Sequence, residues 1–273
     1  MERRLLVFLA LPLLAQQPQN PSPMVEHTRA HPRLRQSAPP GRRVKLEMGT
    51  LFIPARLEHR RELPLVVHFH GGAWVPEVAA AQYGRAAVLA VQLGVGSSVY
   101  GKPFQDPGRF TALLQEAETA AKVRFSSITL SAWSAGYGAI RAILRVPEDY
   151  ARIQRVILID GLHTGYTNER AVDPEPLGVF LRFARDAMAG RKRMLITHSE
   201  IFPGTYASTT ETADYLLAQL GLRRRAVVRW GPMGTQQLSE VRQGGFHLAG
   251  FAGNSAPDHV DQLHSLGEYW RRW

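Results

Sequence analysis

The 273-residue sequence contains no cysteine. A chain without cysteine forms no disulfide bond, has no thiolate nucleophile and offers no cysteine ligand to a metal. The apolar run at residues 5–14 is too short to cross a bilayer. We therefore expect no transmembrane segment.

Acidic residues are too few to balance the basic ones. The 33 Lys and Arg residues exceed the 23 Asp and Glu residues, which gives a net charge of +10. Such a charge raises nucleic acids or anionic surfaces as partners. Nucleic-acid-binding proteins, however, concentrate basic residues in one stripe with aromatic residues among them. Arginine is spread along this whole chain, so we interpret the charge as a solvated basic surface and expect no specific nucleic-acid binding.

The N-terminal region differs in composition from the rest of the chain. The short basic segment Met1-Glu2-Arg3-Arg4, the apolar run at 5–14 and the small Ala15 follow the order of a secretory signal peptide. A buried N-terminal helix is the alternative. Residues 16–43 contain six prolines and little apolar periodicity, as a flexible or loosely docked arm does. We predict a signal peptide at 1–15, an arm at 16–43, one folded domain at 44–273, and a secreted or periplasmic protein.

From residue 44 onward the hydrophobic pattern alternates between strand and helix. A β-hairpin is predicted at 44–55, because two short alternating runs flank a glycine. Apolar runs typical of buried strands alternate with segments of helical spacing. This order predicts an α/β fold with a mostly parallel sheet and helices on both faces. The further strands are predicted at 63–69, 86–93, 128–133, 156–159, 193–197 and 246–251, and the helices at 110–123, 135–144, 177–189, 210–220 and 263–272.

The strongest local signal is Ala132-Trp133-Ser134-Ala135-Gly136, where a predicted buried strand runs directly into a helix. A nucleophilic serine must project from the edge of the sheet, and a sharp strained turn achieves this. Such a turn brings strand and helix close together, so the side chains two before and two after the serine must be small. Ala132 and Gly136 meet that requirement. The alternative for Ser134 is a simple helix cap.

A second signal follows the strand predicted at 63–69, where the chain reads His70-Gly71-Gly72. Adjacent glycines after a strand can turn backbone N–H groups inward, as the stabilisation of an oxyanion requires. With these two motifs the sequence resembles the α/β-hydrolase superfamily, whose esterases and lipases carry His-Gly-Gly in this loop. The resemblance extends in element order over residues 44–273. It implies an oxyanion hole formed by the N–H of Ala135 with that of Gly71 or Gly72.

The chain order Ser, acid, His leaves two candidates for the base and two for the acid. His259 follows the last predicted strand, in a loop before the final helix, and is preferred over His264. Asp160 ends the strand predicted at 156–159 and is preferred over Glu200, which follows the next strand. In the resembling family the acid most often follows that next strand, and an acid after the earlier strand is a known variant.

These residues together predict acyl transfer to water, with Ser134 attacking a carbonyl carbon. The expected substrate is a small-molecule carboxylic ester or a related acyl compound, and no cofactor or metal is required. Residues 163–176 lie where family members insert a lid, and so short a segment predicts little or no lid domain. We therefore expect an open pocket. Its predicted aromatic borders are Trp74, Trp133, Tyr166 and Phe202.

Two other functions are compatible with the sequence. A metal-dependent hydrolase could use His68 and His70, together with the ligand-rich segment at 258–264. A catalytically silent binding protein could retain the fold without turnover.

Overall fold

The computed structural model describes residues 33–272. The predicted signal peptide at 1–15 and residues 16–32 of the predicted arm lie outside the described residues.

One sheet of ten strands forms the centre of the described part of the chain. In chain order the strands are β1 (Gly41–Leu46), β2 (Gly49–Pro54), β3 (Glu62–Phe69), β4 (Ala87–Val91), β5 (Arg124–Trp133), β6 (Ile153–Ile159), β7 (Arg193–His198), β8 (Arg225–Trp230), β9 (Gln236–Gln243) and β10 (Phe246–Phe251). Their spatial order is β1-β2-β4-β3-β5-β6-β7-β10-β9-β8. The six central strands, from β4 to β10, pair in parallel. Antiparallel pairs extend the sheet at both edges.

Helices cover both faces of the sheet, so the predicted fold class is confirmed. The helices are α1 (Trp74–Tyr83), α2 (Ser97–Gly101), α3 (Arg109–Ala121), α4 (Tyr137–Arg145), α5 (Pro147–Arg152), α6 (Gly178–Met188), α7 (Thr209–Leu220), α8 (Ala256–His264) and α9 (Leu266–Arg272). Alternate side chains of the central strands point into two separate cores. The larger core lies under α3, α4, α6 and α7, and the smaller one under α1, α8 and α9.

The C-terminal segment differs from its prediction. One helix was expected at 263–272 with His259 in the preceding loop, but α8 begins at Ala256 and therefore includes His259. The physical reason lies in the first turn, where Asp258 accepts hydrogen bonds from the N–H and the hydroxyl of Ser255, at 2.8 and 2.7 Å. Pro257 also suits the start of a helix.

The predicted arm also ends earlier than residue 43, because β1 begins at Gly41. Arg43 belongs to this strand, and its guanidinium forms an ion pair with Glu77 of α1 at 2.7 Å. Further back, Arg33 pairs with Asp261 and the Leu34 N–H donates to His264 Nδ1 at 3.1 Å. The last part of the arm is therefore attached to the surface of α8.

The topology brings the ends of β3, β5, β6, β7 and β10 to one edge of the sheet, because these strands are parallel neighbours. In a sheet of this kind ligands bind beyond the carboxyl ends of the strands. Residues 161–174, between β6 and the helical segment that leads into α6, form a loop and no separate domain. Within residues 33–272 no helix combines the length and apolar character needed to cross a membrane.

Candidate active site

Ser134 occupies a sharp turn between β5 and α4. Its φ angle is +47°, in the left-handed region that residues with a side chain rarely adopt. The turn is crowded on both sides, which explains the small residues around it. A Cβ added to Gly136 would lie 2.3 Å from the carbonyl oxygen of Phe69 at the end of β3, and one added to Gly161 would lie 2.4 Å from the Ser134 carbonyl oxygen. The turn therefore places the serine at the carboxyl edge of the sheet.

Asp160 follows β6, the strand beside β5, and its side chain is 1% exposed. The carboxylate accepts hydrogen bonds from the Ser199 N–H at 2.7 Å and from the Ser199 hydroxyl at 2.8 Å. The Thr209 hydroxyl donates a further one at 3.1 Å. Burial opposes ionisation, but the hydrogen bonds from His259 and Ser199 outweigh it and hold the pKa of Asp160 below its ordinary value. Asp160 is therefore a buried carboxylate anion.

His259, in the first turn of α8, contacts this carboxylate directly. Its Nδ1 lies 2.7 Å from Asp160 Oδ2. A carboxylate can only accept a hydrogen bond, so Nδ1 carries the proton and the lone pair of neutral imidazole is on Nε2. The contact thus selects the tautomer in which Nε2 can act as a base.

Trp133 supports His259 from the side of β5. Its indole N–H donates to the His259 carbonyl oxygen at 3.0 Å. The two rings lie 4.5 Å apart between centroids, and the indole also stacks on the His70 ring at 5.2 Å. Burial and the neighbouring His259 lower the pKa of His70, so the stacked His70 ring is neutral. The tryptophan therefore contacts both histidine rings and restricts the orientation of His259.

A strained serine turn at the edge of a parallel sheet, followed in the chain by an acid and a histidine, identifies the architecture. The fold is that of the α/β-hydrolases. No protein-family model matches the sequence, and no curated protein sequence matches it significantly.

Several solved structures of this fold resemble the chain over most of its length. A hyperthermophilic esterase from Pyrobaculum calidifontis is 13% identical, with a TM-score of 0.48 over 91% of this chain and 88% of that one. A poly(3-hydroxybutyrate) depolymerase from Bordetella parapertussis is 16% identical, with a TM-score of 0.47 over 85% and 90%. Thermogutta terrifontis esterase 2, phosphorylated by paraoxon, is 15% identical, with a TM-score of 0.47 over 87% and 95%. Identities this low do not transfer an activity or a substrate.

The candidate oxyanion hole lies where β3 and β5 end as neighbours. His70 and Gly71 both have positive φ angles, +72° and +101°, so the chain reverses sharply after β3. The N–H groups of Gly71 and Gly72 donate none of the hydrogen bonds found among the described residues. Ala135 begins the helical turn that leads into α4, and the first N–H groups of a helix have no partner within it. All three predicted donors are therefore available at this edge.

Two cavities meet at the serine. One of about 280 Å³ is lined by Ser134, Asp160 and His259, with side chains from the loop after β7. The other, of about 460 Å³, extends from Ser134 along α4. They share Ser134, His163 and Tyr206 on their walls. Neither cavity is lined by Trp74, Trp133, Tyr166 or Phe202, so the predicted aromatic border is wrong. Trp133 packs against His259 instead, Tyr166 donates to Glu211, and Phe202 is 65% exposed.

The two alternative residues lie apart from this arrangement. Glu200 is exposed, and its N–H donates to Gly253 at 2.8 Å. His264, the last residue of α8, accepts the hydrogen bond from Leu34 and has its ring edge against Trp74. Neither lines the cavities at Ser134. The structure brings Asp160 and His259 together, and it leaves Glu200 and His264 outside.

The histidines considered as metal ligands are separated in a similar way. His68 is buried within β3, and its Nδ1 hydrogen-bonds to the Ser131 hydroxyl at 3.0 Å. His70 lies beyond the strand end, and its Nδ1 contacts the Tyr100 hydroxyl at 2.9 Å. Across residues 33–272, no group of three or more potential metal-ligating side chains is close enough to hold an ion.

Sequence reasoning missed several residues of this site. Ser199 occupies the position after β7 where an acid was considered, and supplies hydrogen-bond donors to Asp160 instead. His163 lines both cavities, and its Nδ1 donates to the Ala207 carbonyl at 2.9 Å. Burial lowers the pKa of His163, so the ring is neutral. Arg141 lines the larger cavity. From the sequence, only the four-residue spacing of Tyr137 and Arg141 within one helix could have indicated Arg141, and no local pattern indicates Ser199 or His163.

Proposed function

We propose that this protein is a serine hydrolase that cleaves a carboxylic ester through a Ser134–His259–Asp160 triad. One observation carries the proposal. The buried Asp160 carboxylate holds His259 in the base-competent tautomer, 2.7 Å from Nδ1, and both residues line one cavity with the strained Ser134. The end of β5, the end of β6 and the first turn of α8 each supply one member of this triad.

The mechanism follows from these positions. His259 Nε2 takes the proton of the Ser134 hydroxyl as the serine oxygen attacks the ester carbonyl carbon. The tetrahedral oxyanion is bound by the N–H of Ala135 with that of Gly71 or Gly72, and the helix after Ser134 directs its positive end at the developing charge. The protonated His259 then gives its proton to the departing alkoxide, leaving an acyl-serine.

Water completes the reaction by the same steps in reverse. His259 accepts a proton from water as the water oxygen attacks the acyl carbon, and the proton returns to Ser134 when the carboxylic acid leaves. Asp160 stays ionised throughout, keeps the imidazole in one orientation and stabilises its cationic form. Residues of this chain account for every proton transfer.

Mass spectrometry of a fluorophosphonate adduct tests this proposal. We expect one adduct, on the Ser134 peptide, which is lost in Ser134→Ala and formed far more slowly in His259→Ala. His264→Ala is the matched control, because that histidine lies outside the cavities, and it should label like wild type. Labelling that persists in Ser134→Ala would overturn the assignment of the nucleophile.

The same samples distinguish the two other functions. Ester hydrolysis that is abolished by a chelator, without any adduct, would support a metal-dependent hydrolase. A folded protein with neither adduct nor turnover on a panel of esters would support a silent binding protein.

We also propose that the chain is exported through a signal peptide at residues 1–15, on the basis of the basic, apolar and small segments described above. N-terminal sequencing of the protein from the culture medium or periplasm tests this. A mature N-terminus close to Gln16 is expected, and an intact Met1 in exported protein would contradict it.

A further inference from the structure

The larger of the two cavities has an arginine on its wall. This cavity of about 460 Å³ begins at Ser134 and Ala135 and runs along α4 to Arg141. His163, Thr164 and Tyr206 also line this cavity. A cavity that starts at the nucleophile and the oxyanion donor is suited to hold the acyl part of an ester.

Tyr137 and Arg141 lie on the same face of α4, because they are four residues apart, and both line the larger cavity together with Ser134, which lies in the turn before α4. Tyr137 is 7% exposed, and its hydroxyl donates to Ser97 at 3.2 Å. The Arg141 guanidinium lies over the Tyr137 ring, 5.5 Å from the centroid. The tyrosine therefore forms the floor of the cavity and orients the arginine above it.

The charge of Arg141 is not neutralised by the protein. Among residues 33–272 no carboxylate forms an ion pair with it, whereas Arg145, one turn further along α4, pairs with Glu175 at 2.7 Å. None of the residues that line the larger cavity is acidic. A half-buried cation beside a cavity without acidic groups creates a positive potential there.

We propose that the larger cavity binds an acyl group that ends in a carboxylate, and that Arg141 binds this carboxylate. The substrate class is a half-ester of a short dicarboxylic acid. Guanidinium groups bind carboxylates through paired hydrogen bonds, and the ester carbonyl at the other end lies at Ser134. This inference rests on the proposed ester hydrolase function.

Helix geometry limits the length of the acyl chain. Arg141 lies one turn along α4 from Tyr137, roughly 6 Å along the helix axis, and the 3₁₀ turn at residues 134–136 adds about 6 Å between Ser134 and Tyr137. The arginine side chain leans toward the N-terminus of its helix, so the distance between the ester carbonyl and the carboxylate is shorter than the sum of the two. We take a glutarate-sized acyl group as the member of this class to be tested.

A kinetic comparison tests the proposal. The substrates are mono-p-nitrophenyl glutarate and the neutral p-nitrophenyl hexanoate, and the measured quantity is the ratio of their kcat/KM values. We expect Arg141→Gln to lower this ratio on the order of 10-fold to 100-fold, as the loss of a charged hydrogen-bond partner does. Arg141→Lys should restore part of it. Arg145→Gln removes the same net charge from the next turn and should leave the ratio unchanged. An equal decrease in Arg145→Gln would show a general charge effect and overturn the proposal.

Direct measurement of ligand binding tests this inference independently of the proposed ester hydrolysis. Calorimetry of glutarate and of hexanoate on Ser134→Ala, with and without Arg141→Gln, requires no catalysis. Glutarate binding that depends on Arg141 supports the subsite even if no ester is hydrolysed. Glutarate binding that is equally strong in Arg141→Gln, or absent from Ser134→Ala, refutes it even if ester hydrolysis is established.

Discussion

Replacement of Asp160 by asparagine is the sharpest test of the site. The new side chain keeps the shape of the carboxylate but carries one oxygen and one NH₂ group. In the structure Oδ1 accepts the Ser199 N–H at 2.7 Å, and Oδ2 accepts His259 Nδ1 at 2.7 Å. Asparagine can satisfy only one of these two donors.

The magnitude of the effect follows from these two contacts. With its oxygen toward Ser199, asparagine donates to His259 Nδ1 and moves the imidazole proton to Nε2, so the base is lost. The opposite orientation sets NH₂ against the buried Ser199 N–H, which costs about 1–3 kcal/mol and makes the base-competent form a minor population. Loss of the anion that stabilises protonated His259 removes about 1.5–3 kcal/mol more. Together these effects lower kcat on the order of 10²-fold to 10⁴-fold, the upper value matching the known cost of this exchange in serine proteases.

The assay is the hydrolysis of p-nitrophenyl butyrate across the pH range, with a thermal unfolding curve to establish that each variant is folded. Glu200→Gln is the matched control, since it removes an exposed carboxylate that lies outside the cavities, and it should change kcat less than about threefold. A folded Asp160→Asn protein within tenfold of wild-type kcat would refute the role of Asp160. A large decrease in Glu200→Gln would transfer that role to the other carboxylate.

Three further variants test the surroundings of the triad and the edge of the sheet. Trp133→Phe keeps an aromatic ring but loses the indole hydrogen bond, so kcat should fall about fivefold with little change in KM, as steady-state kinetics would show. Gly161→Ala places a methyl group 2.4 Å from the Ser134 carbonyl oxygen and should lower kcat on the order of 100-fold by displacing the turn. Gly178→Ala is the control, because a Cβ added there meets nothing within 4 Å. Burial opposes the ionisation of Glu240, but hydrogen bonds from Arg225 and Arg229 lower the pKa of this carboxyl from 4.5 to about 2. The ionised Glu240 therefore stabilises the fold above pH 4.5, and this stabilisation disappears as the pH falls toward 2. Denaturant unfolding should show Glu240→Gln to be less stable than wild type by about 1 kcal/mol at pH 7, because its arginine partners remain largely solvated. The variant should lose less stability than wild type across that acid range, and equal stabilities at pH 7 would contradict this.

Segments with a clear apolar pattern were predicted well, and segments without one were missed. Strands β3, β5, β6, β7 and β10 are apolar runs because both of their faces are covered, and each was expected close to its observed position. Strand β8 was not, since it lies at the edge of the sheet and five of its six residues are exposed. Helix α1 was missed because it is buried on several sides. Its sequence therefore lacks the separate polar and apolar faces that mark an amphipathic helix.

The sequence by itself predicted the strained turn at Ser134, because the requirements of such a turn are local. A strand, a serine, small flanking residues and a helix lie within consecutive positions, and the strained turn around Ser134 needs all of them together. The His-Gly-Gly loop is recognisable for the same reason.

Only the tertiary structure decided which acid and which histidine come together. Asp160 and His259 are 99 residues apart, and their contact depends on the order of strands in the sheet and on where α8 begins. At the end of β7, between their two strands, the structure presents Ser199 as a donor to Asp160 and directs Glu200 to solvent. Such a choice depends on distances between loops from different strands, and no local pattern of residues records those distances.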